Sequence, residues 1–152
     1  MTVVALTESQ RDAVAGLVRA GRVEKLVGGA DEHRARSFLV NASSAMSDLA
    51  MVKTAVVRHD LAYAVMHDVG EAMLAAYGFR TVRGDGKHEA VGRFLAAVFD
   101  SPPTREAARH VDDVRRNRND RYYRAHEPSE QAVRLAGDHA QMLVDAAARR
   151  LL

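Results

Sequence analysis

Residues 115–124, RRNRNDRYYR, hold five arginines, two asparagines and two tyrosines beside a single acid. Guanidinium groups are planar multiple donors that match phosphate oxygens, and phenol rings stack on bases. Such a run suits three roles: a solvated charged face, a grip on a polyanion, or a site that stabilises charge developing on a phosphate. Helical spacing divides the run. At about 100° per residue with Arg118 set at zero, Ala107, Val111 and Val114 fall within about 40° of it. Arg118 therefore stands in the middle of its helix's own apolar stripe. Arg115 and Tyr122 flank it, and Asn119 and Tyr123 border the stripe. Asn117 and Asp120 point away, and Arg116, Arg121 and Arg124 read as solvated charge. A guanidinium on the core side is unfavourable unless it is paired or lines a wet cleft. An acid from another helix, such as Asp48, Asp68 or Glu71, offers it a pair.

Composition narrows the setting. The 152-residue chain is the size of one domain, long enough to bury a core. Its 47% hydrophobic and 28% charged residues fit a soluble globular protein. No apolar run approaches the roughly 20 residues of a membrane span. The opening MTVVALTESQ lacks a basic leader, so a cytoplasmic protein is expected. Without cysteine there is neither a disulfide framework nor a thiolate metal site. The whole chain carries only +2, so its basicity is concentrated in the arginine run. A local patch of that kind faces an anion.

The elements that must position the run are all helical. Thr7-Glu8-Ser9-Gln10 reads as a capping box opening a first helix to about Ala20, where Gly21 and Gly28-Gly29 break the pattern. Asp31 caps a long second helix whose stripe is Phe38, Ala42, Ala45, Leu49, Val52 and Val56. Asp60 opens a third helix, and Gly78 ends it. The stretch GFRTVRGDGKH is a basic glycine-rich loop without the spacing of a phosphate-binding P-loop. A fourth helix covers Lys87 to Phe99 and stops at Ser101-Pro102-Pro103. Thr104 caps a fifth, which carries the arginines. After Pro128 a last helix holds Val133, Ala136, Ala140, Leu143, Val144, Ala147 and Leu151. No segment alternates as a strand does. The expected fold is an all-α, up-and-down bundle of about five to six helices in a single domain, residues 1–152. Within it, residues 1–30 form an N-terminal helix and Gly-containing linker, and residues 31–152 the main bundle.

Other candidates for chemistry are few. His67 and Glu71 stand four apart on one helix, a spacing open to metal, but no Glu-x-x-His pair accompanies them. No metal site and no cofactor are expected. Ser43-Ser44 lacks a glycine elbow, and His88 and His110 take no assigned role.

The sequence resembles the HEPN superfamily of small helical-bundle domains. The likeness rests on an RxxRNxxxY arrangement, Arg115, Arg118, Asn119 and Tyr123, near the end of a late helix. It is supported by AYAVMHDVGEAMLAAYGFR (62–80), similar to the family's alanine-rich second core helix and its Gly-aromatic-Arg turn, and by the histidine-bearing GKHEAV. Residues 31–150 fit the family's helix order. The resemblance implies a metal-independent endoribonuclease of a toxin–antitoxin or phage-defence system, working as a homodimer with a cleft at the interface. The family signature is an arginine, often followed directly by asparagine, with a histidine several residues on. Arg118 and Asn119 match it. Tyr123 stands where the histidine belongs, and a phenol with an ordinary pKa of about 10 is a poor base at neutral pH. A second register pairs Arg121 with His126, beside the helix-ending Glu127-Pro128. A third, Arg116-Asn117 with Arg121 and Tyr123, faces outward.

The resemblance thus makes Arg118, Asn119, Tyr123 and His126 the catalytic candidates and Arg115, Tyr122 and Arg121 the binding candidates. RNA or a nucleotide is the expected ligand, and an antitoxin or a nucleotidyltransferase the expected protein partner. Two alternatives stay open. One is a non-catalytic binding module accessory to a nucleotidyltransferase, and the other is a purely structural ion pair at Arg118.

Overall fold

The structure, a computed structural model, describes residues 1–124 and 127–151, apart from the side chains of residues 122–124. Among them it forms an all-α bundle of six helices with one small two-stranded sheet. The elements run α1 (Glu8–Arg19), β1 (Val23–Lys25), α2 (Glu32–Leu49), α3 (Ala55–Tyr77), β2 (Phe79–Thr81), α4 (Lys87–Val98), α5 (Thr104–Arg124) and α6 (Glu130–Arg150).

Local signals start most of these helices where the sequence places them. Thr7 N–H donates to Gln10 Oε1 at 2.8 Å and Gln10 N–H to Thr7 Oγ1 at 3.1 Å, a closed capping box. The buried Gln10 amide also donates to Val98 O and Asp100 Oδ1, both at 2.9 Å, tying α1 to the end of α4. Asp31 Oδ1 accepts from Arg34 N–H at the start of α2, and Ser129 Oγ accepts from Ala132 N–H at the start of α6.

Two expectations are corrected. The apolar period that continues from Leu49 to Val56 crosses a helix boundary: α2 ends at Leu49 and α3 begins at Ala55, with Thr54 as its N-cap residue. Val52 lies in the turn and Val56 in the first turn of α3, both partly buried, so the apolar spacing outlasts the helix. Asp60 accordingly sits inside α3 rather than at its start, and its carboxylate is used across the bundle. The second correction is the pair of strands. β1 and β2 are antiparallel with Val23 opposite Thr81 and Lys25 opposite Phe79. At three residues each they are too short for alternation to show. Arg80 Nε donates to Glu24 Oε1 at 2.6 Å across the pair. β1 lies within the Gly-containing linker.

α3 is the central helix. From Ala62 to Ala76 it is buried on nearly every side, which its alanines and its single Gly70 permit because small side chains let neighbouring helices approach closely. Phe94 and Leu95 of α4, Met66, Met73 and Leu74 of α3 and Leu143 of α6 are fully buried around it. Gly78 ends α3 with φ of 80°. A Cβ there would lie 3.1 Å from the backbone of both Gly29 and Ala30, so both the conformation and the space require glycine.

Three histidines away from the cleft described below link α3, α5 and α6. His59 is 2% exposed, and its Nδ1 meets no hydrogen-bond partner among the described residues. His110 and His139 approach Nδ1 to Nδ1 at 2.9 Å, so one ring must donate and the other accept. Burial lowers the pKa of all three. At His59 the charge of Arg121 adds to it against Asp60, at His110 that of His139 and His59 against Asp113, while Asp138 and Glu106 oppose it at His139. A depressed native pKa means that the unfolded chain binds these protons first. Stability is therefore complete above the unfolded histidine value of about 6.5 and is lost as pH falls from there through the native values. Urea unfolding between pH 8 and 5 should show this loss, and His110→Gln should flatten it; an equally steep fall in the variant refutes the assignment.

Candidate functional site

Every fourth or third position along one face of α3 is occupied by a polar or aromatic group: Asp60, Tyr63, His67 and Glu71. This spacing stacks side chains one above another along a helix. Opposite them, α5 presents Arg115 and Arg118 three residues apart. The first turn of α4 closes one side with His88. Its N-cap residue is Gly86, at φ of 86°, and Arg22 reaches Glu89 of the same turn at 3.9 Å. Between these walls lies an open cleft of about 450 Å³, lined by Asp60, Tyr63, His67, Asp68, His88 and Arg118 among others.

Arg118 is the cation of the cleft. Its guanidinium carbon lies 5.4 Å from the centroid of the Tyr63 ring, within cation–π range. Its Nε lies 3.8 Å from Asp60 Oδ1, and the side chain keeps 34% of its exposure. The partner acid is thus Asp60, rather than Asp48, Asp68 or Glu71. Asp48 is exposed near the end of α2, and Asp68 lines the cleft beside His67. Glu71 faces Arg34 at 3.5 Å and His67 Nε2 at 3.7 Å.

The other arginines divide differently from the sequence expectation. Arg121, read as solvated, has a side chain only 11% exposed and donates to the same Asp60 Oδ1. It lies seven residues beyond Val114, so the buried seam of α5 continues through it. Arg116 is exposed, as expected, and reaches Asp112 Oδ2 at 2.5 Å. Arg115 is half-buried and donates to Asp112 Oδ1 from Nε at 3.0 Å and from a terminal nitrogen at 2.8 Å. Burial pushes the Asp112 carboxyl up, but the hydrogen bonds and charges of Arg115 and Arg116 outweigh it and hold the carboxyl below its ordinary value. Asn119 is exposed and does not line the cleft. His126 and the side chains of Tyr122 and Tyr123 lie outside the described residues.

Tyr63, His67 and His88 form an aromatic wall that the arginine motif gave no sign of. Tyr63 Oη and His88 Nδ1 are 3.2 Å apart, and the His67 and His88 rings lie 5.1 Å centroid to centroid. His67 Nδ1 is 3.9 Å from Asp68 Oδ1, and its Nε2 is buried without a hydrogen bond among the described residues. Burial raises the Tyr63 pKa and Asp112 adds to the rise, against the pull of Arg115 and Arg118. Desolvation lowers the His88 pKa, and His67, Lys87, Arg118 and Arg115 lower it further. A neutral imidazole at neutral pH follows. The Tyr63–His67 spacing was visible in the sequence as a helical i, i+4 pair. Its meeting with His88 was not, because that depends on the turn after β2.

Among the described residues no three His, Asp or Glu side chains are placed to hold a metal ion, and no helix is long and apolar enough to cross a membrane. Comparison with protein-family models, with curated proteins and with solved structures finds no match.

Proposed function

We propose that the α3–α4–α5 cleft binds RNA by its phosphates and cleaves it without a metal, in the manner of a HEPN-type endoribonuclease. The observation that carries the reading is the setting of Arg118. A half-exposed guanidinium lies over an aromatic ring, at the mouth of an open cleft that also holds two imidazoles. Such a group can meet phosphate oxygens in the ground state and the extra negative charge that develops in the transition state. Arg115 adds positive charge beside it, and Tyr63 offers a ring face. The resemblance of Arg115, Arg118, Asn119 and Tyr123 to the family motif supports the same reading. It also supports a cytoplasmic homodimer that acts in a toxin–antitoxin or defence pair beside an antitoxin or a nucleotidyltransferase. Asn119, Tyr122, Tyr123, Arg121 and His126 remain candidates within it.

The test is incubation of the purified protein with structured RNA in EDTA. Cleavage to 2′,3′-cyclic phosphate ends is expected, and Arg118→Ala should reduce its rate by about 10²–10³-fold, the range for removing one oxyanion donor. The variant should also flatten the salt dependence of RNA binding by about one ion. Salt-sensitive binding without cleavage would instead mark an accessory binding module.

A second reading has its own support, the approach of Arg118 to Asp60 at 3.8 Å. If that pair were the whole purpose of Arg118, Arg118→Ala would lower the melting temperature and leave RNA binding untouched. A half-exposed pair at this distance contributes only about 0–1 kcal/mol.

A further inference from the structure

We infer that His88, supplied by α4 rather than by the arginine helix, is the general base of the cleft, with Tyr63 and His67 as positioning residues that hold its ring; the inference rests on the ribonuclease reading above. The arginine motif leaves a chemical gap, since Tyr123 occupies the place of its histidine. His88 fills that gap in space. It is exposed at the first turn of α4, on the wall of the same cleft as Arg118. Its Nδ1 is 3.2 Å from Tyr63 Oη and its ring packs 5.1 Å from that of His67. The tautomer in which Nδ1–H donates to Tyr63 Oη leaves the Nε2 lone pair free to accept a proton. Tyr63 in turn lies under the Arg118 guanidinium, so base and phosphate-binding cation are registered on one ring.

In the proposed step His88 Nε2 takes the proton of an RNA 2′-hydroxyl, and the 2′-oxygen forms a bond to the adjacent phosphorus. The bond from phosphorus to the 5′-oxygen breaks, that oxygen leaves with a proton from water, and the His88 imidazolium gives its proton to the hydroxide left behind. The products are a 2′,3′-cyclic phosphate and a 5′-hydroxyl. No oxidant, reductant or further reactant is consumed. The imidazolium formed has around it His67 and Asp68 from α3, Lys87 from its own helix, and Arg115 and Arg118 from α5. Desolvation first, and then the charges of His67, Lys87, Arg118 and Arg115, favour the neutral resting ring. A base is active when deprotonated, so the acidic limb of the rate profile falls below the ordinary histidine value of about 6.5.

The experiment compares the full chain with its His88→Ala, His88→Gln, Tyr63→Phe and His126→Ala forms on a labelled RNA hairpin in EDTA, measuring cleavage and, by anisotropy, binding. The expected result is cleavage by the parent and a loss of about 100-fold or more in both His88 variants at unchanged affinity. Added imidazole should restore part of the His88→Ala rate, which a merely structural defect would not allow. Tyr63→Phe should lower kcat at constant KM and move the acidic limb. Cleavage by either folded His88 variant within a few-fold of the parent overturns the assignment, as does loss in His126→Ala alone. A parent that binds RNA without cutting it overturns His88 as base while leaving RNA recognition standing. A parent that neither binds nor cuts removes the ribonuclease reading and this inference with it.

Discussion

Gly70→Leu is expected to destabilise the protein by about 3 kcal/mol, the upper end of the usual range for an overpacked core. For a chain of this size that corresponds to a fall of about 6–12 °C in melting temperature. The cause is the closest approach of α3 and α4. A Cβ on Gly70 would sit 2.1 Å from Val91 Cγ1, with Leu95 Cδ1 at 3.5 Å closing the way out. Any side chain there must push α4 away or force Val91 and Leu95 off their rotamers. Gly70→Ala raises the same clash with a smaller group, offset by up to roughly 1 kcal/mol of better helix propensity. Val91→Ala should relieve it, so the double variant should be more stable than the two single changes predict in sum. Additivity within experimental error would show that the helices are not in contact at this point. The consequence reaches the cleft. α4 carries His88 in its first turn, so a displaced α4 should slow the proposed cleavage in Gly70→Ala even where the protein remains folded.

The same helices show what a sequence can and cannot reveal. Thr7, Asp31 and Gly78 were legible because capping is decided within four residues of chain. Helix number and order followed from apolar period read together with caps, glycines and prolines, and Arg118's place on the apolar stripe of α5 followed from the period. Asp60 was misread because its local signal, an acid preceding an apolar stretch, is that of an N-cap. Its actual use is an ion pair with an arginine 61 residues away, which no local rule contains. Arg121 was misread for a related reason. Its seven-residue spacing from Val114 continues the buried seam, but a guanidinium at the end of a charge run looks like surface. The strands were too short to carry a period. Most of the candidate cleft was hidden in the same way: Tyr63 and His67 are neighbours on one helix, whereas His88 reaches them only through the β2–α4 turn.

Asp60 also gives the second large effect. Asp60→Asn is expected to lower stability by about 1–3 kcal/mol and yet to tighten RNA binding. Removing one member of a fully buried pair costs about 3–5 kcal/mol, whereas a solvent-exposed pair is worth less than about 1 kcal/mol. Asp60 and Arg121 fall between these limits, their side chains being 33% and 11% exposed. The binding effect has the opposite sign because the same carboxylate oxygen lies 3.8 Å from Arg118 Nε, where it would compete for that cation with a phosphate of the proposed RNA ligand. Neutralising it should raise RNA affinity at low salt by about tenfold, equivalent to about 1.4 kcal/mol, and steepen the salt dependence. Chemical denaturation and anisotropy titration at two salt concentrations measure the two effects on one sample. If stability falls but affinity falls with it, Asp60 orients Arg118 for the phosphate rather than competing with it. If stability alone changes, Arg118 makes no contact with RNA and the arginine serves the bundle.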